Sequence, residues 1–155
     1  MRFSTNKVFV DAGAFIALLS EDDRHHEEAA RTYGTLLRNR QLLYTTNHIV
    51  DETCSWLLRN RASSHRAALR FGDMIRGVSV PVTVGDLPDR VEQSKMMLVY
   101  STPEVENLAW EILAEYDSAG FSYTDCTSFA VMTILFIKKA FTFDAHFDVM
   151  GFERL

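Results

Sequence analysis

The chain has 155 residues, 47% apolar and 24% charged, with a formal net charge of −5. That length and composition predict one folded domain with a real core and exclude a disordered chain. The acidic balance excludes a protein that coats nucleic acid by bulk electrostatics, but not an enzyme that touches it through one local patch. No run approaches the roughly 18 apolar residues of a membrane span. The start, MRFSTNKVFVD, has neither the apolar segment nor the cleavage site of a signal peptide. Cys54 and Cys126, the two cysteines, fall in helix-like segments without metal-ligand spacing. They read as buried thiols of a reducing compartment, the cytoplasm.

In chain order, Val8-Phe9-Val10 is a β-branched and aromatic run that predicts a buried strand over 6–10. It stops on a carboxylate, Asp11, and Ala12, Gly13 and Ala14 lead into an apolar helix over 12–19. Ser20-Glu21-Asp22-Asp23 offers caps for a helix over 24–39, with Ala29, Ala30, Tyr33, Leu36 and Leu37 on one face. QLLYTT, 41–46, is a second strand. Asn47 is expected to cap a helix over 48–60, with Ile49, Val50, Thr53, Trp56 and Leu57 as its apolar side. Ser63 and Ser64 start a further helix with Ala67, Ala68, Phe71, Met74 and Ile75 inward, closed by Gly77.

The stretch 78–84 has strand character, which Pro81 restricts to a sheet edge. The polar stretch 85–95 reads as a loop or a short irregular helix. A third strand covers 97–100. Thr102-Pro103 places a hydroxyl cap before proline at the first helical position. The helix it starts carries Val105, Leu108, Ala109, Ile112, Leu113 and Tyr116 in register and ends near Gly120. The segment 123–138 is apolar almost all round and predicts a central, buried helix. Ala140-Phe141-Thr142-Phe143 is the last strand, ended like the first by an aspartate, Asp144. The alternation predicts a single α/β domain over 1–155: a mainly parallel sheet flanked by helices on both faces, in three layers α/β/α.

Four carboxylates stand where this layout gathers them. Asp11 and Asp144 end strands, Glu52 lies one turn into the helix after the second strand, and Asp125 lies in the first turn of the buried helix. Open α/β sheets bind ligands at the carboxyl edge of their strands. Charges packed there repel by about 4 kcal/mol per pair at 4 Å with an effective dielectric near 20. Such a cluster holds protons or a hard divalent cation, and an all-oxygen site suits Mg²⁺ or Mn²⁺. The chemistry implied is phosphodiester hydrolysis. Each residue also has a plainer reading. Asp11 has the position of a helix cap, and Ser-x-x-Asp at 122–125 matches a capping box. Asp51 and Glu52 both suit a solvated helix face, with Glu52 nearer the apolar side. His146 and Asp148 fit either outer groups of the site or a surface turn. His25-His26 reads as a polar helix face, since no second cluster at zinc-ligand spacing supports it.

VFVDAGAFIALL, TTNHIVDETCSWLL, SYTDCTSFAVM and AFTFDAHFDVMGFERL, in this order and spacing, resemble a PIN domain. The resemblance is closer still to the VapC-type toxin ribonucleases of toxin–antitoxin pairs, and it runs from Val8 to Leu155. It implies a PIN fold, Mg²⁺- or Mn²⁺-dependent cleavage of RNA, a homodimer, and inhibition by a cognate antitoxin. The family's acidic residues fall on Asp11, Glu52, Asp125 and Asp144. Asp11 and Asp125 would be the principal metal ligands; Glu52 and Asp144 would complete the site and help position the attacking water. Three features depart from the pattern: Ala12 stands where many members carry a hydroxyl, His146 stands where an acid is frequent, and 78–96 is long. A haloacid-dehalogenase-type phosphatase is opposed by Gly13, which stands where its second carboxylate is needed, and a response-regulator receiver by an acid where it needs lysine. A non-catalytic PIN-like RNA-binding or scaffold protein remains the alternative. Arg59, Arg61, Arg66 and Arg70, in a stretch free of acids, are the candidate RNA contacts, against a plainer role at a helix end.

Overall fold

The computed structural model describes residues 6–60, 64–76 and 96–155. Its elements alternate: β1 (Lys7–Val10), α1 (Ala12–Leu19), α2 (His26–Arg38), β2 (Leu42–Thr46), α3 (Asn47–Arg59), α4 (Ser64–Ile75), β3 (Met96–Val99), α5 (Pro103–Glu115), α6 (Tyr123–Ile134), β4 (Lys139–Phe141), α7 (His146–Val149) and β5 (Glu153–Arg154). The five strands form one sheet in the order β3-β2-β1-β4-β5, and every neighbouring pair is parallel.

Val8, Phe9 and Val10 are fully buried, as a central strand with both faces covered must be. The chain steps outward from β1 through β2 to β3, then returns to the other side of β1 for β4 and β5. Right-handed crossovers therefore put α1 to α4 on one face and α5 to α7 on the other. The ring contacts agree: Phe15 of α1 packs edge-on against Phe71 of α4 at 4.8 Å, and Phe129 of α6 against Phe147 of α7 at 5.0 Å. Phe147 also meets Phe9 of the sheet at 6.3 Å. Truncating one such ring to alanine costs about 3–5 kcal/mol. The winding reverses between β1 and β4, and that reversal opens a crevice at the carboxyl ends of both strands.

Several boundaries differ from the sequence reading. The cap of α3 is Thr46, whose hydroxyl accepts from Ile49 N at 3.1 Å. Asn47 is already helical, and its Oδ1 accepts from Ser101 N at 2.8 Å, tying α3 to the end of β3. The buried helix α6 stops at Ile134, not 138, and Phe136 is 67% exposed. There the chain makes a Schellman turn: Phe136, at φ 54°, bonds Thr133 O at 3.2 Å, and Ile137 N bonds Met132 O at 2.8 Å. Arg40, at φ 51°, ends α2 in the same way. Phe136 is not glycine, so the stop of α6 was not visible in the sequence, whereas α2 ends at Arg38 with Asn39 as its cap, where the sequence placed it. β4 begins and ends earlier than expected, which leaves Asp144 three residues past it. The edge strand β5 is short and was not foreseen. The expected caps at Ser63 and Gly77, the strand at 78–84 and the loop at 85–95 lie outside the described residues.

Candidate metal centre

Asp11 extends β1 by one bond, its N–H donating to Phe141 O at 3.1 Å. It occupies the cap position of α1, yet its side chain makes no capping bond. Its Oδ2 instead accepts the Thr142 hydroxyl at 2.8 Å, and the residue is only 8% exposed. Burial raises its pKa to about 7, opposed by the Thr142 hydroxyl and the Ala12 N–H and reinforced by the charges of Asp125 and Glu52. The Thr142 oxygen in turn accepts from Asp144 N at 3.0 Å, so one buried hydroxyl joins the two strand-end aspartates.

Asp125 does make the capping box of α6. Ser122 Oγ accepts from Asp125 N at 3.0 Å, and Asp125 Oδ2 accepts from Ser122 N at 2.9 Å. The cap fixes the carboxylate and leaves Oδ1 out of the box. Asp144 Oδ1 accepts from His146 N at 2.9 Å, a tight turn that folds the His146 ring back over the crevice. His146 Nδ1 then lies 3.3 Å from Asp125 Oδ2 and 3.3 Å from Asp144 Oδ2. One donor atom from each of these three residues fits within 4.8 Å of the others. Glu52 approaches from α3. It is exposed as a residue, but partial burial, Asp125, Asp144 and Asp51 all raise its carboxyl above the ordinary range.

The fold thus brings all four predicted acids within electrostatic reach of one another. Among the described residues, the tightest ligand cluster is Asp125, Asp144 and His146, with Asp11 and Glu52 flanking it. Convergent carboxylates, two of them with raised pKa values, and a buried Nδ1 with no hydrogen-bond partner are a donor set that fits a divalent cation. Asp148 points elsewhere: its Oδ2 pairs with Arg154 at 2.7 Å.

A second polar group borders the crevice, one turn before Glu52 on α3. Glu106 of α5 accepts from Ser101 Oγ, from the Tyr123 hydroxyl, and from His48 Nε2 at 2.9 Å. These three donors, in that order, hold its carboxyl down at about 2, while burial and then Glu106 push Tyr123 up to about 12. The clamp ties the starts of α3 and α6, which carry Glu52 and Asp125. The sequence reading missed it, because Glu106 looks like an ordinary first-turn acid of α5. It also missed Thr142, whose signal is a lone hydroxyl inside the aromatic run AFTFD.

The arginines are less convergent. Arg59 ends α3, about 10 Å beyond Glu52 at 1.5 Å per residue. Its Nε donates to Ser55 O at 2.9 Å, on its own last turn, which is the plainer helix-end role. Arg66 is exposed and Arg70 half-buried on α4. Arg61 lies outside the described residues.

Known proteins resemble this chain in sequence and in fold. Residues 8–153 match the PIN domain family. The 23S rRNA-specific endonuclease VapC20 of Mycobacterium tuberculosis is 33% identical over 148 residues, 96% of this chain and 97% of that one. A VapC ribonuclease of Archaeoglobus fulgidus is 27% identical over 147 residues, 94% of this chain and 81% of that one. The crystal structure of the M. tuberculosis VapC20, described as a sarcin–ricin loop cleaving toxin, superposes with a TM-score of 0.73 at 28% identity, covering 94% of this chain and 95% of that one. FitAcB of Neisseria gonorrhoeae shares the fold, with a TM-score of 0.61 at 12% identity, covering 96% of both chains. With the family matched from β1 to β5 and Asp11 and Asp144 near the reversal of a parallel sheet, this chain belongs to the PIN domain family and is of the VapC type.

Proposed function

We propose that this protein is a Mg²⁺- or Mn²⁺-dependent endoribonuclease of the cytoplasm, the toxin of a toxin–antitoxin pair. Its four-carboxylate site, Asp11, Glu52, Asp125 and Asp144, hydrolyses RNA phosphodiester bonds. A cognate antitoxin inhibits it, and it forms a homodimer. The observation that carries the reading is Asp11: a carboxyl buried to 8% exposure and held at about 7 beside other acids. Such a group is stable either protonated or facing a cation.

When bound, a divalent cation supplies an activated water and a counter-charge for the leaving oxygen. The chain's own residues set the geometry. Thr142 fixes the Asp11 carboxylate, the capping box fixes Asp125, and the 144–146 turn fixes Asp144. Glu52, at the exposed mouth and with raised proton affinity, takes the proton from the attacking water. The names of the VapC20 relatives make the sarcin–ricin loop of 23S rRNA the first substrate to test.

The test incubates purified protein with a sarcin–ricin loop oligonucleotide and with total RNA, in Mn²⁺, in Mg²⁺ and in EDTA. Cleavage at defined sites that EDTA stops is the expected result. RNA binding without cleavage in either metal would leave the non-catalytic alternative standing.

A further inference from the structure

We propose that His146 Nδ1 is a direct ligand of the divalent cation, beside Asp125 and Asp144, and that this nitrogen biases the centre toward Mn²⁺ over Mg²⁺. The inference rests on the metal-dependent reading above and adds a residue and a selectivity to it.

The first support is the state of the nitrogen itself. Nδ1 is buried, and it makes no hydrogen bond to any described group. It lies 3.3 Å from each of two carboxylate oxygens, but out of line for donation to either. A buried imidazole nitrogen aimed between two carboxylates, bonded to neither, is placed for something between all three.

Spacing is the second support. Two ligands at about 2.1 Å from one cation lie about 3 Å apart when adjacent and about 4.2 Å apart when opposite. The observed 3.3 Å separations of Nδ1 from both carboxylates fall in that range. The backbone supports the ring's aim as well. His146 N is anchored on Asp144 Oδ1 at 2.9 Å, and the ring stands edge-on to buried Phe121 at 5.2 Å. Asp148, the other nearby candidate, is engaged with Arg154 and takes no part.

Selectivity follows from donor chemistry. Mg²⁺ is a hard cation that prefers oxygen and dehydrates reluctantly. Imidazole suits first-row transition metals, and Mn²⁺ is the one that also accepts a carboxylate-rich site. Where a carboxylate would give an oxygen that serves both cations, the histidine at 146 gives a nitrogen that serves mainly Mn²⁺.

The test loads the full-length protein with Mn²⁺ alone and records electron spin echo envelope modulation, with no RNA present. The wild type is expected to show the coupling of a directly bound imidazole nitrogen, and His146→Gln to lose it. Calorimetric titration with Mn²⁺ and with Mg²⁺ then gives the ratio of dissociation constants. His146→Asp is expected to lower the Mn²⁺ preference on the order of tenfold, the least that loss of even an outer partner of a metal ligand costs. Bound Mn²⁺ without nitrogen coupling in the wild type overturns the proposal, as does an unchanged Mn²⁺/Mg²⁺ ratio in His146→Asp. Wild-type protein that binds neither cation overturns the metal centre as a whole, a failure distinct from loss of the nitrogen ligand.

Discussion

The Thr142 hydroxyl donates to Asp11 Oδ2 at 2.8 Å across the joint between β1 and β4. Ala12, directly after Asp11, has no hydroxyl to offer, and Thr142, 131 positions from Asp11, supplies one. Because the same oxygen accepts from Asp144 N at 3.0 Å, Thr142 sets the spacing of two predicted ligands at once. Thr142→Val keeps the shape and removes both bonds. Cleavage and metal affinity are expected to fall about 10–100-fold, as when other outer partners of metal ligands are lost. Leaving the Asp144 N–H unsatisfied should also cost about 1–3 kcal/mol in denaturant melts. Thr142→Ser should restore both, and wild-type cleavage by Thr142→Val would remove the hydroxyl from the argument.

Asp11→Asn and Asp125→Asn should each reduce metal-dependent cleavage by more than about a hundredfold, beyond the cost of an outer partner. The amide keeps the size of the side chain and discards its charge. In Asp125→Asn the amide oxygen can still accept the Ser122 N–H, so the capping box survives and the fold with it. Circular dichroism alongside the cleavage assay separates lost chemistry from lost structure. Full activity in either folded variant would refute its assignment.

The pH dependence of the metal-free protein has a definite sign. Asp11 titrates at about 7 folded against an ordinary 3.8, so the folded state holds the extra proton between those values. Its contribution to stability is therefore fully present below about pH 4 and is lost as pH rises through about 7. The loss is on the order of a few kcal/mol for a shift of this size. Asp11→Asn removes that slope, and near pH 8 without metal it should melt at or above the wild-type temperature. Added Mn²⁺ should raise the wild-type melting temperature near pH 8, by about 2.7 kcal/mol equivalent at a hundred times its dissociation constant. A metal-free Asp11→Asn that is less stable than wild type near pH 8 would show that burying the charged Asp11 carboxylate carries no net cost there.

The sheet and the acids were legible because each depends on local pattern. Val8-Phe9-Val10 followed by Asp11 is readable as strand then carboxylate without any knowledge of neighbours, and so is the Ser122–Asp125 box. What was not legible depends on partners far away in sequence. Thr142 reads as one more strand residue until β4 is laid beside β1. Glu106 reads as a helix-start acid until His48, Ser101 and Tyr123 converge on it. The stop of α6 hides for a different reason: Phe136 takes the left-handed conformation that glycine normally announces. His146 was open between site and surface turn; the turn is present, and it brings Nδ1 to 3.3 Å from both Asp125 and Asp144.

The Glu106 clamp gives an opposite pH signature. Its carboxyl is held at about 2, below an ordinary 4.5, chiefly by the Ser101 and Tyr123 hydroxyls and by His48. Its contribution is present above about pH 4.5 and is lost as pH falls toward 2. Glu106→Gln should cost about 1.5–3 kcal/mol near neutrality, the usual range for hydrogen bonds to a charged group. The gap to wild type should narrow in urea melts near pH 3. Cleavage should also weaken, since the clamp joins the starts of the helices that carry Glu52 and Asp125. A gap that stays constant from neutral to acid pH would mean that the charge of Glu106 contributes nothing.

RNA must approach an acidic site on a chain of net charge −5, so local cations have to offset the repulsion. Arg59 turns back onto Ser55 O and is the weakest candidate among the three described arginines named from the sequence. Arg66 and Arg70 lie four apart on α4, hence on one side of it, while Ala67, Phe71 and Ile75 face the core. The packing of Phe71 on Phe15 places the turn of α4 that carries Arg70 beside the first turns of α1, the helix that Asp11 precedes. Arg66→Ala with Arg70→Ala should therefore weaken RNA binding and flatten its salt dependence by about one to two units of log–log slope, each phosphate contact on a single strand contributing about 0.7. Binding is measured in Ca²⁺, a hard oxygen-seeking ion, across a salt series with an RNA that the wild type cleaves in Mn²⁺. Cleavage in Mn²⁺ at saturating RNA should stay near wild type, because neither arginine belongs to the acidic centre. An unchanged slope and affinity would move the RNA path away from α4, and Arg38, Arg40, Lys138 and Lys139 would be the next side chains to remove.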